Sequence, residues 1–127
     1  MRIFKNKWFV RFARKENIGD GQLCDAIARA EKGLIDADLG GGLIKQRVSR
    51  RGEGRSGGYR TIAAYRAKSK AFFVYGFAKN ERDNVDAMEL SGFRRLAQVA
   101  LGLADRDVDR LIQNKELEEV NCNGQDL

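Results

Sequence analysis

Arginine and lysine are the side chains that could do chemistry in this sequence. Between residues 45 and 82, eleven basic residues stand against Glu53 and Glu81 alone. Planar guanidinium donors and ammonium groups at that density suit the binding of phosphate oxygens. They also suit stabilisation of charge that develops on a phosphoryl group during transfer. The chain has no His. That removes the usual acid–base group near neutral pH, the Ser-His and Cys-His nucleophiles and most zinc sites. Cys24 and Cys122 lie far apart and make neither a disulfide framework nor a metal cluster. Cys24, read as lying off the apolar stripe of its helix, is expected to have no chemical role. The glycines at 52, 54, 57 and 58 fit neither the P-loop nor the dinucleotide fingerprint. No metal and no small-molecule cofactor are expected.

The formal charge of +6 over 127 residues conceals an asymmetry. Residues 105–127 carry −4 and residues 1–104 carry +10, of which +9 falls within residues 45–82. Such a patch concentrates polyanions, and nucleic acid is the commonest such partner; a merely solvated basic face is the alternative. The length fits one domain, assigned to residues 1–120, with residues 121–127 as a frayed tail. No apolar run approaches the ~18–20 residues of a membrane span. Met1-Arg2-Ile3-Phe4-Lys5 lacks the apolar core of a signal peptide. A cytoplasmic protein without membrane contact is therefore expected.

The elements that must position these cations follow from periodicity. Met1–Phe4 reads as a short strand. Trp8, Phe9, Phe12 and Ala13 recur at helical spacing, and these aromatics are assigned to the core rather than to stacking on a ligand. Leu23, Ala26, Ile27 and Ala30 mark a second helix, capped by Asp20 or Gly21 and stopped by Gly33. From Leu34 the period becomes two: Leu34–Leu39, a Gly40-Gly41-Gly42 turn, then Leu43–Ser49 with Lys45 and Arg47 on one face and Ile44, Gln46 and Val48 on the other. The loop Arg50 to Gly58 follows. A plain hairpin needs about 2–5 residues; this one is longer and carries Arg50, Arg51 and Arg55.

Tyr59–Ala67 and Ala71–Ala78 are the next strands. Parity places Arg60, Ile62, Ala64 and Arg66 on one face of the first and Tyr59, Thr61, Ala63 and Tyr65 on the other. The second strand is apolar on both faces, which makes it central and puts Tyr75 and Phe77 in the core. Lys79 and Arg82 sit where it gives way to a helix, whose N-terminus adds anion affinity. Asp86 with Glu89 three residues on predicts a capping box. Asp105 caps a last short helix bearing Val108, Leu111 and Ile112. The fold class is α+β: a small, mainly antiparallel sheet of three to four strands packed with N-terminal and C-terminal helices. The helices are expected on one sheet face, leaving a basic concave face elsewhere, with the acidic C-terminal segment a solvated helix and tail.

Three stretches carry a family resemblance: Gly41-Gly42-Leu43-Ile44-Lys45-Gln46-Arg47-Val48, Gly54-Arg55-Ser56-Gly57-Gly58-Tyr59-Arg60, and Phe72 through Asn84 with its Phe-Ala-Lys-Asn-Glu-Arg block. Together they resemble the RelE/HigB-like toxins of bacterial type II toxin–antitoxin systems, over roughly residues 1–120. The resemblance implies a RelE-like fold and a small ribosome-dependent ribonuclease that cuts messenger RNA in the ribosomal A site. It also implies a cognate antitoxin, with the ribosome and mRNA as the other partners. Arg60 resembles the family's active-site arginine, Lys79 and Arg82 its basic pair after the central strand, and Lys45, Arg47, Arg50, Arg51 and Arg55 its flanking RNA-binding cations. The family's best-studied branch has a further arginine near Asn80 and a tyrosine near Asp86; neither is present.

A histidine-free ribonuclease must stabilise phosphorane-like charge with fixed donors, a role assigned to Arg60 with Lys79 and Arg82 in support. A like charge nearby disfavours the charged form of a lysine, so Lys79 or Lys45 is the candidate general base or acid. Two other classes fit the same sequence: a gyrase-inhibiting toxin of the ParE type, and a non-catalytic basic protein that coats RNA.

Overall fold

In a computed structural model, residues 1–49 and 58–122 are described. The elements run β1 (Arg2–Asn6), α1 (Lys7–Glu16), α2 (Asp20–Glu31), β2 (Ala37–Gly40), β3 (Leu43–Val48), β4 (Tyr59–Arg66), β5 (Lys70–Ala78), α3 (Ala87–Leu101), α4 (Asp105–Gln113) and β6 (Leu117–Glu119). Among the described residues the strands form one sheet in the order β2-β3-β4-β5-β1-β6. Every neighbouring pair is antiparallel except β1 with β5. The class is α+β as expected, but the sheet has six strands rather than three to four. The strand most hidden from sequence is β6, whose Leu117-Glu118-Glu119 has no apolar alternation and is held by pairing with Phe4, Lys5 and Asn6. Among the described residues no helix is long and apolar enough to cross a membrane.

Local chemistry sets the helix ends. The Asn6 side chain accepts the Phe9 N–H at 2.8 Å to start α1, and Asn17 closes it in the left-handed conformation. For α2 the N-cap is Gly19, not Asp20 or Gly21; its N–H donates to Gln22 Oε1. Asp20 is thereby left to bind Lys5 Nζ and the Asn121 N–H. The capping box of α3 is reciprocal, Asp86 accepting from Glu89 N–H and Glu89 from Asp86 N–H. Ala104, not Asp105, occupies the N-cap of α4.

Both faces of the sheet are covered, against the expectation of one. Phe9 and Ala13 of α1 and Leu23, Ala26, Ile27 and Ala30 of α2 pack on Ile3, Ile44, Tyr59, Ala63 and Phe73. On the opposite face Ala97, Ala100 and Leu101 of α3 and Val108 of α4 pack on Phe4, Leu43, Ile62, Ala64 and Phe72. Parity along β4 is as read: Tyr59 and Ala63 under α1 and α2, Ile62 and Ala64 under α3. Close approach of α1 to β5 requires Gly76, where a Cβ would lie 2.6 Å from the Phe12 ring.

Cys24 and Cys122 form a disulfide across 98 residues, with Cα atoms 5.9 Å apart. This corrects both cysteine expectations. Cys24 is buried in the core beside α2's apolar stripe, and β6 returns the chain past β1 so that Cys122 arrives next to it. The acidic segment keeps most of its described carboxylates exposed, as expected of a solvated helix, yet it is also tied to the sheet: Arg2 of β1 pairs with Asp105, Asp109 and Glu119, and Val120 is buried. Asn121 and Cys122, placed by sequence in a frayed tail, are held by Asp20 and by the disulfide. Residues 123–127 lie outside the described residues.

Candidate nucleic-acid interface

The face of the sheet that α3 covers changes character along its strands. Beneath α3 it is apolar, with Leu43 and Ala64 paired across β3 and β4. Two residues further along, Lys45 pairs with Ile62; two beyond that, Arg47 pairs with Arg60. Arg60 is in turn opposite Phe77 of β5. The alternation that buries Leu43 thus carries Lys45 and Arg47 onto the same face. Gln46, between them, points the other way and is fully buried. Its side chain donates to Ala26 O and accepts from Asp36 N–H. The Arg47 backbone is clamped as well: its N–H donates to Asp36 and its carbonyl accepts from Arg29. Strand β3 therefore presents its cations from a fixed backbone.

Arg60 is 8% exposed. Its Nη1 is buried and has no hydrogen-bond partner among the described residues. Burial lowers its pKa, the Arg47 charge across the strand lowers it further, and Asp36 offsets part of this. Like charges directly opposite one another on a sheet are destabilising, and a buried donor without a partner costs about 1–3 kcal/mol, more when charged. An anion between Arg47 and Arg60 would relieve both penalties at once.

Arg82 is in the opposite condition. Its Nη1 donates to Tyr75 Oη and to Glu89 Oε2, both at 3.1 Å, its Nη2 to Glu89 Oε1 at 2.7 Å, and its Nε to Asn84 O at 2.9 Å. The guanidinium also lies over the Phe77 ring, 5.5 Å from its centroid. Four hydrogen bonds leave one of five donors without a partner among the described residues. The Glu89 hydrogen bonds raise the Arg82 pKa further. Arg82 in turn, with the Asp86 N–H, lowers Glu89 to about 2. Lys79 is exposed in the turn after β5, where Glu81 N–H and Arg82 N–H both return to Ala78 O.

The structure thus brings Lys45, Arg47 and Arg60 together on one face, and places Arg82 beside them through Phe77. Lys79 stands on the adjoining turn. Arg50, Arg51 and Arg55 lie outside the described residues. Tyr59 is buried under α1 and α2, as parity predicts. Two aromatic positions, Tyr75 and Trp8, depart from their core assignment, while Phe77 keeps it. Tyr75 is half-buried and its hydroxyl holds Arg82. Phe77, though buried, sits between the two arginines. Trp8 is 37% exposed rather than core, and its ring lies 4.5 Å from Tyr75. A basic residue repeated beside aromatics at the end of one apolar strand was the available signal.

The family model described as "RelE toxin of RelE / RelB toxin-antitoxin system" matches residues 1–120. No curated protein matches the chain.

Proposed function

The chain belongs to the RelE toxin family, and from that premise we propose that it is a ribosome-dependent messenger-RNA endoribonuclease that stops translation, held in check by a cognate antitoxin. Such an activity places it in the cytoplasm, where ribosomes work. The observation that carries the reading is the buried Arg60 guanidinium, unpartnered at Nη1 among the described residues and facing Arg47 across the strand. A phosphate is the ligand whose charge and acceptor oxygens complete that pair.

In the reaction the 2′-hydroxyl oxygen attacks the neighbouring phosphorus. A bond to O2′ forms, the bond to O5′ breaks, the hydroxyl proton passes to a base and O5′ acquires a proton. Arg60 and Arg47 stabilise the added negative charge on the non-bridging oxygens. Burial strengthens the contribution of Arg60, whose donors are fixed before the charge develops. Arg82 acts mainly through Phe77 and Tyr75, as a positioning residue with one donor left over among the described residues. Lys79 and Lys45 are the candidates for moving the two protons. Arg50, Arg51 and Arg55 complete the RNA-binding cations. The ribosome supplies alignment of the 2′-oxygen with the phosphorus, which converts a weakly equipped site into an effective one.

Primer extension on mRNA translated with purified ribosomes tests this. Wild type should give cuts in the A site. Arg60→Ala should reduce their rate by about 10²–10³, the cost of one preorganised donor. Intact mRNA with wild type, together with arrest of DNA replication in cells, would favour the gyrase-directed reading.

A further inference from the structure

We propose that α1 carries a second binding platform for single-stranded RNA, made of Trp8, Arg11, Phe12 and Lys15 and continuous with the Arg60 face; this rests on the reading of that face as an RNA site. The four residues recur at i, i+3, i+4 and i+7 and so form one stripe of the helix. They line a shallow depression of about 240 Å³. Trp8 keeps over a third of its surface in solvent, although its indole is already oriented by Phe12, stacked at 5.2 Å, and by Tyr75 at 4.5 Å. The core does not need it: Phe9, one residue on, is fully buried and fills the space against Phe73. Arg11 and Lys15 are exposed and make no ion pair among the described residues. An exposed indole backed by the half-buried Phe12 ring and flanked by cations without ion pairs among the described residues matches how proteins hold single strands, with bases stacked on rings and phosphates met by Arg and Lys.

Two observations fix the occupant and its path. The platform connects to the Arg60 face through touching groups. Trp8 meets Tyr75, the Tyr75 hydroxyl accepts from Arg82, Arg82 covers Phe77, and Phe77 is paired with Arg60. Charge favours the Trp8 side: its depression carries Arg11 and Lys15 with no acidic residue among the described residues, whereas on its other flank α1 shares a depression of about 460 Å³ in which Lys7, Arg11, Arg14 and Lys115 are offset by Glu116, Glu118 and Glu119. A strand whose reacting phosphate lies at Arg60 would therefore continue over Tyr75 toward Trp8.

Trp8 is the only tryptophan of the chain, so its fluorescence reports this stripe alone. The probe is a 2′-O-methyl oligouridylate of about twelve nucleotides, long enough for both sites and lacking the nucleophile. Wild-type protein should bind it with quenching of Trp8. Trp8→Leu should weaken binding about tenfold by anisotropy, the effect of one lost stacking contact. Arg11→Gln with Lys15→Gln should lower the slope of log Kd against log salt by about 1.4, as expected for two lost phosphate contacts. Binding that depends on Arg60 but leaves Trp8 emission, Trp8→Leu affinity and the salt slope unchanged would overturn the platform and leave the Arg60 reading standing. Quenching and tight binding that ignore Arg60→Met would do the reverse. Equal quenching by polyglutamate would overturn RNA as the occupant in favour of an acidic protein segment.

Discussion

Arg60 and Arg82 are both neighbours of Phe77, yet one is left wanting a partner and the other is almost saturated. Arg60 has a buried nitrogen without an acceptor among the described residues and a like charge opposite. Arg82 makes four hydrogen bonds, two of them to Glu89. The same side chain therefore serves two ends. A guanidinium whose hydrogen bonds close within the fold organises its neighbours. One that the fold buries and leaves open is poised for an anion from outside. The residue type is identical in the two cases; the surrounding acceptors differ.

The largest expected effect breaks the comparison at Arg60. Arg60→Met keeps much of the apolar stem and removes the charge, so cleavage on ribosomes should fall by about 10²–10³. The melting temperature should rise, because a buried charge facing Arg47 is gone. Arg82→Met should do the opposite: the melting temperature should drop as Glu89 and the start of α3 lose their tie, and cleavage should fall less than with Arg60→Met.

Reduction of Cys24–Cys122 sharpens the contrast by perturbing the molecule away from both arginines. Loss of a cross-link closing so long a loop should cost about 2–4 kcal/mol in denaturant unfolding, while the ratio of Arg60→Met to wild-type cleavage should be unchanged in the folded protein. Asp86→Ala removes the α3 cap and should cost about 1 kcal/mol, measured by the same unfolding curves.

The smallest effect is acid sensitivity at the saturated arginine. Glu89 is held at about 2 rather than its ordinary 4.5. A lowered carboxyl contributes stability above its unfolded pKa and loses it as pH falls through the folded one. The Arg82–Glu89 contribution should therefore fade from about pH 4.5 to about pH 2, and Glu89→Gln should flatten the unfolding curve over that window.

Much of this was legible in the sequence, for physical reasons that can be named. Alternation along β4 separated Arg60 from Tyr59, since side-chain direction in a strand has no freedom beyond parity. The Asp86–Glu89 box was readable because capping is local. Hidden features were those in which distant segments meet. The disulfide joins residues 98 apart, and β6 is a charged edge strand held by its partner β1. Coverage of the second sheet face depends on α3 and α4 folding back over Phe4, Leu43 and Phe72. For the candidate site, the cations were legible from density and spacing. Their states were not, because whether Arg60 or Arg82 finds an acceptor depends on where Glu89, Tyr75 and Asn84 arrive in space. Trp8 was misassigned because helical spacing places Phe9 and Trp8 alike near a core, and only the packing of α1 on β5 tells them apart.

The most direct test of the account is a paired measurement on Arg60→Met and Arg82→Met: single-turnover cleavage of ribosome-bound mRNA, with the folded fraction of each variant checked by circular dichroism. Arg60→Met should be fully folded and at least about 10²-fold slower than wild type, with Arg82→Met the less stable and the more active of the two. Wild-type cleavage rates from folded Arg60→Met would contradict this expectation.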